Sequence, residues 1–221
     1  MKTTAIVVAA GSGSRFKSDT PKQFLEINGK PVIAHTLDRF QSAPSVDSIV
    51  LVVAEDQIDK LDKNLVSKLT NIVAGGATRA ESVLNGLNAV DADTEVIAVH
   101  DGARPLVTVD ELERTIAKAK ETGAACLVAP VTDTIKTIRG DEISGTLDRN
   151  KLRRAVTPQV FKIEVLRKAF ESVELGDAAT DECYLVEKLG HPIVFVEGSS
   201  RNLKITHPED LILAAAILEN S

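Results

Sequence analysis

Short apolar runs alternate with amphipathic segments along the chain. The apolar runs predict strands at residues 4–10, 48–54, 95–100, 124–131 and 193–197. The amphipathic segments predict helices at residues 31–40, 80–90, 109–122, 164–172, 180–189 and 208–219. Strands that are apolar at every position are buried on both faces, as in a parallel sheet covered by helices. The pattern therefore predicts an α/β fold with a doubly wound, mostly parallel sheet.

The alternation breaks at about residues 132–157, where the sequence is polar and rich in turn residues. Residues 134–141 alternate between polar and apolar side chains, which predicts a β-hairpin arm that projects from the sheet. The pattern fits an arm that packs on a partner subunit and an ordinary edge hairpin equally well. We expect residues 1–221 to form a single domain that includes this arm.

The composition narrows the range of functions. Of the 221 residues, 43% are hydrophobic and 26% charged, as in a globular domain, and 3% are aromatic, too few for a platform that stacks nucleic acid. The formal charge of −6 also argues against a nucleic-acid partner. No apolar run approaches the ~20 residues of a membrane span, so we expect no membrane partner. Cys126 and Cys183 fit no zinc or disulfide pattern, which favours a cytoplasmic location.

A glycine-rich loop follows the first predicted strand. It comprises Ala9, Ala10, Gly11, Ser12 and Gly13. Glycines at the end of a strand let backbone N–H groups approach an anion closely. Phe16 stands where a dinucleotide fingerprint needs glycine, and no Walker-type lysine follows, so the loop matches neither standard phosphate motif. Arg15 and Lys22 follow the glycines, and two cations beside such a loop favour a polyphosphate ligand.

A second glycine turn precedes the helix predicted at residues 80–90. The turn and the start of the helix contain Gly75, Gly76, Ala77 and Ser82. Glycine is needed for a tight entry into a helix, and it also leaves a backbone edge that can recognise a base. The residues fit both interpretations.

Charged residues follow the third predicted strand. Asp101 lies at its carboxyl end, where one carboxylate together with substrate phosphates can hold Mg²⁺ or another divalent cation. His100 precedes it and is interpreted as a packed, hydrogen-bonded residue. Arg104 is expected to pair with Asp101 or to orient the loop.

Further charges lie near the last two helices. Lys204 stands between apolar neighbours, so it lies on a solvated face or points at an anion. Asp181 and Glu182 begin the helix predicted at residues 180–189, and helix capping is sufficient to explain both.

Nine segments in order resemble the 2-C-methyl-D-erythritol 4-phosphate cytidylyltransferase family. They are AAGSGSR (9–15), PKQF (21–24), GGATRAESVLNGL (75–87), VHDGARP (99–105), PVTDTIK (130–136), DRN (148–150), TPQVF (157–161), ATDECYLVE (179–187) and NLKITHPEDL (202–211). The resemblance spans nearly the whole chain. Gly102 departs from it, because many relatives have alanine there, and Ala77 departs because some relatives carry an acid near the base.

The resemblance implies a reaction in which CTP and methylerythritol 4-phosphate give a CDP-alcohol and pyrophosphate. By position, it assigns CTP binding to Ala9, Ala10, Gly11, Ser12, Gly13, Gly75, Gly76, Ala77 and Ser82, and catalysis to Arg15, Lys22 and Lys204. It assigns sugar-phosphate binding to Asp101, Gly102, Arg104, Thr134, Arg149 and Thr157, with Asp101 also binding the metal. The arm is implied to reach across a homodimer to the other subunit's sugar phosphate.

The chemistry of such a reaction agrees with the residues present. A phosphate monoester is largely ionised at neutral pH, since its second pKa is about 6, so its attack needs no general base. Cations and Mg²⁺ would stabilise the charge that gathers on the leaving pyrophosphate. Two alternatives remain from sequence. One is a ribitol-5-phosphate cytidylyltransferase, and the other is a nucleotide-binding protein without turnover.

Overall fold

The computed structural model describes residues 1–11, 21–62, 65–173 and 180–220. Their strands are β1 (Thr3–Ala9), β2 (Glu26–Ile27), β3 (Lys30–Pro31), β4 (Ser48–Val53), β5 (Leu69–Ala74), β6 (Val96–Asp101), β7 (Ala124–Pro130), β8 (Lys136–Arg139), β9 (Glu142–Thr146), β10 (Arg153–Lys162) and β11 (Val194–Glu197). Within these residues, seven strands form one sheet in the order β11-β7-β10-β6-β1-β4-β5. β10 runs antiparallel to both neighbours, and the other pairings in that sheet are parallel. The predicted α/β fold with a mostly parallel sheet is confirmed.

Helices cover both faces of the sheet. They are α1 (Val32–Ser42), α2 (Arg79–Asn88), α3 (Val109–Thr122), α4 (Ile163–Ser172), α5 (Glu182–Lys188) and α6 (Pro208–Glu219). Ala5 and Val7 of β1 share an apolar cluster with α1 and α3, whereas Ile6 shares one with α2, α4 and α5. Successive side chains of a strand point to opposite faces, so both faces of β1 need apolar residues. In the part of the chain that is described, none of the helices is both long and apolar enough to cross a membrane.

The ends of α3 follow from local chemistry. The Thr108 hydroxyl accepts from the backbone N–H of Glu111, and the Glu111 carboxylate accepts from the backbone N–H of Thr108. This capping box satisfies two donors that the first turn leaves free. Gly123 ends the helix at φ +93°, a conformation that glycine adopts without strain. The helix predicted at residues 109–122 is therefore confirmed with the same bounds.

Two strands of the sheet were not predicted. β5 lies at the edge of the sheet, where Thr70 and Asn71 are exposed, so its sequence lacks the continuous apolar run of a central strand. β10 contains Pro158, and proline normally argues against a central strand because it cannot donate to the ladder. Here the pairing with β7 shifts register between Ala155 and Gln159, so the proline falls within the irregularity.

The predicted hairpin is present as β8 and β9, which pair antiparallel and are exposed along most of their length. The boundary predicted at residue 157 is wrong, because β10 begins at Arg153 and pairs with β7 of the central sheet from that residue onward. Thr157 is accordingly a buried residue of the sheet. The single-domain assignment stays a prediction.

The order of the strands places a crevice beside β1. From β1 the chain moves outward to β4 and β5, then returns to β6 on the other side of β1. In doubly wound sheets, ligands bind where the strand order reverses, at the carboxyl ends of the strands. The expected location of a site is therefore beyond Ala9 of β1 and Asp101 of β6.

Candidate active site

A pocket of about 460 Å³ lies at this crevice. Its lining comes from the end of β1, the 3₁₀ turn at Lys22–Phe24, the turn before α2 with the start of that helix, the end of β6 and the segment before α6. The lining residues are Val8, Ala9, Ala10, Gly11, Lys22, Gln23, Gly76, Ala77, Thr78, Arg79, Ser82, Asp101, Ala103, Lys204 and Thr206. Five segments of the chain thus meet at one place.

Gln23 fixes the first wall of the pocket. Its side chain is 2% exposed, and its Nε2 donates to the carbonyl oxygens of Ala9 at 2.7 Å and Gly11 at 3.5 Å. Beside it, Lys22 Nζ donates to the Ile205 carbonyl at 2.8 Å. The short 3₁₀ turn at Lys22–Phe24 therefore ties the end of β1 to the segment that carries Lys204.

The second glycine turn fits closely against the end of β1. A Cβ on Gly75 would lie 2.3 Å from the Cβ of Ala10, so a side chain there would push the two backbones apart. The Ser82 hydroxyl accepts from Gly76 N at 3.1 Å and donates to the Thr78 carbonyl at 2.9 Å. Ser82 thus holds the shape of the turn, and the turn presents backbone to the pocket.

Asp101 binds cationic side chains with both carboxylate oxygens. Oδ1 accepts from Arg79 Nε at 3.0 Å, and Oδ2 is 2.9 Å from Lys204 Nζ and 3.3 Å from Arg104 Nε. Burial alone would raise the pKa of Asp101, but Arg79, Lys204 and Arg104 outweigh burial and hold that pKa far below its ordinary value. The carboxylate is therefore ionised at every pH at which the fold is used, and it holds the cations in fixed positions.

Arg79 bridges Asp101 and Glu182. Its NH1 lies 2.7 Å from Glu182 Oε1, and the Glu182 side chain is 1% exposed. Burial raises the pKa of Glu182 despite the nearby guanidinium. The interpretation of Glu182 as a helix cap is wrong, because Asp181 is the N-cap of α5, accepting from Tyr184 N at 2.9 Å.

His100 is a packed residue, as predicted. Its Nε2 lies 3.1 Å from the Arg104 carbonyl, and its Nδ1 lies 3.0 Å from the Thr157 hydroxyl. The same hydroxyl oxygen is 3.1 Å from Asp101 N. Burial lowers the pKa of His100 to about 4, so the ring is neutral at pH 7 and orients the Asp101 loop without titrating there.

The low pKa of His100 predicts a loss of stability in mild acid. An unfolded histidine binds a proton below about pH 6.5, whereas the buried ring resists it down to about 4, so stability falls as the pH falls through this interval. The free energy of unfolding should fall by about 2 kcal/mol from this group between pH 7 and pH 5. Glu182, whose pKa is raised, contributes with the opposite sign.

Urea denaturation at the two pH values checks this expectation. A His100→Gln variant serves as the reference, because it removes the titrating group while the Glu182 contribution stays the same. The drop should be about 2 kcal/mol larger in the parent protein than in the variant. Equal drops would contradict the assignment of a neutral, buried His100.

The structure brings many of the sequence-predicted site residues to this pocket. Those in its lining are Ala9, Ala10, Gly11, Lys22, Gly76, Ala77, Ser82, Asp101 and Lys204. Gly75 lies directly behind Ala10. Arg104 and Thr157 both contact Asp101, Arg104 through an ion pair with its carboxylate and Thr157 by accepting a hydrogen bond from its backbone N–H. Ser12, Gly13 and Arg15 lie outside the described residues.

Three of the predicted residues are placed elsewhere. Thr134 and Arg149 belong to the arm segment and do not line the pocket; Arg149 NH1 donates to the Thr132 carbonyl at 2.7 Å. Gly102 is buried, and a Cβ there would lie 2.8 Å from Ile33 Cδ1 and 3.0 Å from Ala9 Cβ. Close packing behind β1 explains this glycine better than a contact with a sugar phosphate.

Sequence reasoning missed three residues that shape the site. Gln23 stands beside Lys22, and in that segment only the cation indicated contact with a ligand. Arg79 follows the second glycine turn, and its position before a helix gave no indication that it would reach two carboxylates. Glu182 begins a helix, so capping explained it. Glu182 interrupts an otherwise apolar helix face, and this interruption could have indicated a buried, functional carboxylate.

The donor chemistry of the pocket fits a hard cation that arrives with phosphates. Among the described residues, no group of three or more His, Cys, Asp or Glu side chains could hold a metal alone. Mg²⁺ is commonly held by one or two carboxylates plus substrate phosphates and waters. Asp101 supplies one carboxylate at the pocket, although its oxygens are shared with Arg79, Arg104 and Lys204.

Comparison with known sequences gives a consistent result. A family model described as "IspD: 2-C-methyl-D-erythritol 4-phosphate cytidylyltransferase" matches residues 3–220. The 2-C-methyl-D-erythritol 4-phosphate cytidylyltransferase of Syntrophus aciditrophicus is 44% identical, with 99% of this chain and 96% of that protein covered. The protein of the same name from Desulforamulus reducens is 42% identical, with 97% and 95% covered.

Solved structures agree in fold over the full chain. The 4-diphosphocytidyl-2C-methyl-D-erythritol synthase of Anaerococcus prevotii has a TM-score of 0.86 at 29% identity, covering 99% of this chain and 96% of that one. The 2-C-methyl-D-erythritol 4-phosphate cytidylyltransferase of Francisella tularensis has a TM-score of 0.83 at 32% identity, covering 97% and 98%.

Proposed function

The chain belongs to the 2-C-methyl-D-erythritol 4-phosphate cytidylyltransferase family, and we propose that the pocket between β1 and β6 is where its reaction takes place. It is a CTP-dependent nucleotidyltransferase that transfers a cytidylyl group to 2-C-methyl-D-erythritol 4-phosphate, releasing pyrophosphate, in isoprenoid precursor synthesis. The observation that supports this pocket is the meeting of two glycine turns and a cluster of cations within about 460 Å³. The ribitol-phosphate alternative is not favoured, because the matching family and relatives carry the methylerythritol-phosphate name.

The two turns form the proposed CTP site. Ala10, Gly76 and Ser82 would surround the base, where contacts come from backbone because Ala77 has no polar side chain. Gly11 leaves space for a phosphate, since none of the described residues has an atom within 4 Å of a Cβ placed on it. Backbone N–H groups at such a turn bind anions without a side chain.

The cations form the proposed reaction centre. The nucleophile is the phosphate monoester oxygen of the second substrate, which attacks the α-phosphorus of CTP as pyrophosphate leaves. Lys22 lines the pocket on the side of β1, and Lys204 and Arg104 flank Asp101 on the side of β6. Cations held in place before the reaction stabilise developing charge at little reorganisation cost. Positioning and charge stabilisation then suffice, as is usual in phosphoryl-type transfers.

We also propose that Mg²⁺ or another divalent cation enters with CTP. The triphosphate would supply most of its ligands, and Asp101 is the candidate carboxylate at the pocket. When bound, the cation would neutralise phosphate charge and orient the triphosphate. Treatment with EDTA should abolish pyrophosphate release, and added MgCl₂ should restore it. Full activity in EDTA would contradict this proposal.

We propose a homodimer that uses the arm. Ile138 and Ile143 are opposite each other in the β8–β9 hairpin and are 73% and 69% exposed. Such a pair of exposed isoleucines is typical of a surface that a partner covers. A second copy would bring Thr134 and Arg149 of its arm to the pocket, which accounts for their absence from the lining of their own chain's pocket.

Sedimentation equilibrium of a charged arm variant tests the dimer. Ile138→Glu should shift the protein from two chains to one and remove most of the activity, because the arm no longer reaches the neighbouring pocket. Thr137→Glu is the matched control, since it adds the same charge to the opposite face of the strand. A parent protein that is fully active as a single chain would contradict the proposal.

A cytoplasmic location is also proposed. Cys126 and Cys183 are both buried free thiols, which agrees with a reducing compartment. The proposed partners are the two small-molecule substrates. Cell fractionation should place the activity in the cytosolic fraction, and recovery from a membrane or secreted fraction would contradict this location.

A further inference from the structure

The buried Glu182 carboxylate pairs with Arg79, which lines the pocket beside Asp101. We infer that this pair is a positioning device for cytidylyl transfer, in which Glu182 fixes Arg79 and Arg79 fixes the Asp101 carboxylate between the cations of the pocket. The inference rests on the proposed role of this pocket and goes beyond it, because it assigns a function to two residues outside the set predicted from sequence.

The geometry allows Arg79 to link the position of Asp101 to that of Glu182. Its Nε and NH1 contact different carboxylates, at 3.0 Å to Asp101 Oδ1 and 2.7 Å to Glu182 Oε1. A guanidinium is planar and holds its donors in a fixed arrangement, so two contacts on different atoms determine its orientation. With Oδ1 held by Arg79, Oδ2 remains directed at Lys204 and Arg104.

Glu182 is itself held firmly by the backbone at the start of α5. Gln159 Oε1 accepts from the backbone N–H groups of Glu182 at 3.1 Å and Cys183 at 3.0 Å. Gln159 Nε2 donates to Asp181 Oδ2 at 2.8 Å. These bonds join α5 to β10 in the central sheet, so Glu182 cannot follow Arg79 if the guanidinium moves toward another anion.

Stability does not account for Glu182. Its Oε2 is buried and has no hydrogen-bond partner among the described residues. An ionised carboxylate that is buried with an unpaired oxygen is costly, and groups of this kind are commonly kept for function. The raised pKa of Glu182 reflects the same unfavourable burial.

The pair has a clear use in a pocket that binds two polyanions. Arg79 lines the pocket, and an unrestrained guanidinium there would pair with the triphosphate. Held by two carboxylates, Arg79 keeps its fixed place, and Lys22, Lys204 and Arg104 are left to contact the substrates in the productive arrangement. Loss of Glu182 should therefore impair turnover more than CTP binding.

Glu182→Gln tests the pair, because glutamine keeps the shape and removes the charge. We expect kcat to fall about 10-fold, the scale of a small misplacement of reacting groups. The KM for CTP should be unchanged or lower, since the released Arg79 can pair with the triphosphate. The Tm should fall by less than it does in Asp101→Asn, because Arg79 keeps its ion pair with Asp101 and a costly buried charge has been removed.

Glu111→Gln is the matched control. It makes the same substitution at another buried glutamate in the first turn of a helix, and the Glu111 carboxylate accepts from the backbone N–H groups of Thr108 and Ser199, away from the pocket lining. Its kcat should stay close to that of the parent protein. If both variants lose turnover equally, the loss reflects the removal of any buried carboxylate and the inference is wrong.

A second variant keeps the inference testable if Glu182→Gln does not fold. Arg79→Lys retains the charge and loses the planar fork, so it should show the same fall in kcat with no rise in the KM for CTP. Parent-like kcat in either folded variant would overturn the inference. Absence of pyrophosphate release from the parent protein would instead refute the proposed function, which distinguishes the two failures.

Discussion

Replacing Lys22 with alanine is expected to lower kcat by ~100-fold or more, the usual cost of removing one preorganised group that stabilises transition-state charge. Lys22 lines the pocket and is held by the Ile205 carbonyl at 2.8 Å, so its ammonium is placed before the substrates arrive. Steady-state assays of pyrophosphate release with saturating CTP measure the effect. The same loss is expected for Arg15→Ala.

A control variant separates this effect from a general loss of surface charge. Lys60 does not line the pocket and is 63% exposed in a pair with Asp56. Lys60→Ala should keep kcat and KM at their parent values, since isolated surface pairs contribute little. Near-normal turnover of the Lys22 variant would refute a role for Lys22 in stabilising the transition state.

Replacing Asp101 with asparagine is expected to reduce both activity and stability. The side chain keeps its shape, but Arg79, Arg104 and Lys204 lose the charge that holds them. Removing one member of a buried ion-pair cluster commonly costs about 3 kcal/mol of unfolding free energy. The value of kcat/KM should fall by ~100-fold, because the cations are no longer aligned. Urea denaturation and steady-state kinetics measure the two effects.

The same chemical change on the surface provides the comparison. Asp110 pairs with Arg114 near the start of α3 and is 74% exposed. Asp110→Asn should change the unfolding free energy by no more than about 0.5 kcal/mol and leave kinetics unchanged. An Asp101→Asn variant with parent-like stability and kcat/KM would show that the carboxylate does not organise the pocket.

Asp101 also explains how the pocket can hold several cations when no substrate is bound. Its carboxylate neutralises part of the charge of Lys204, Arg104 and Arg79, so the empty pocket does not hold several unpaired cations close together. Phosphate oxygens can then replace the carboxylate as partners of Lys204 and Arg104. The free energy needed to bring the cations together is therefore supplied during folding, and little reorganisation is needed during the reaction.

The central part of the fold was predictable because its signal is local. β1, β4 and β6 are buried on both faces, and their sequences are correspondingly apolar at most positions, with the polar residues at the strand ends. β10 was missed because Pro158 conflicts with the usual composition of a central strand. Its place between β6 and β7 depends on tertiary pairing, which no window of the sequence contains.

The parts of the site that belong to recognisable sequence motifs were predictable. The glycine turns and Lys22, Asp101 and Lys204 follow from strand ends, charge and the resemblance to one family, and the structure places Gly11, Gly76 and these charged residues around one pocket. Arg79 and Glu182 were not predictable, because they are 103 positions apart and meet only through the packing of α2 and α5.

Parallel assays of pyrophosphate release with CTP and Mg²⁺ test the central claim most directly. One assay contains 2-C-methyl-D-erythritol 4-phosphate as the second substrate, and the other contains ribitol 5-phosphate. The account predicts stoichiometric release with the first substrate and none above background with the second. Release with ribitol 5-phosphate alone, or with neither substrate despite measurable CTP binding, would contradict it.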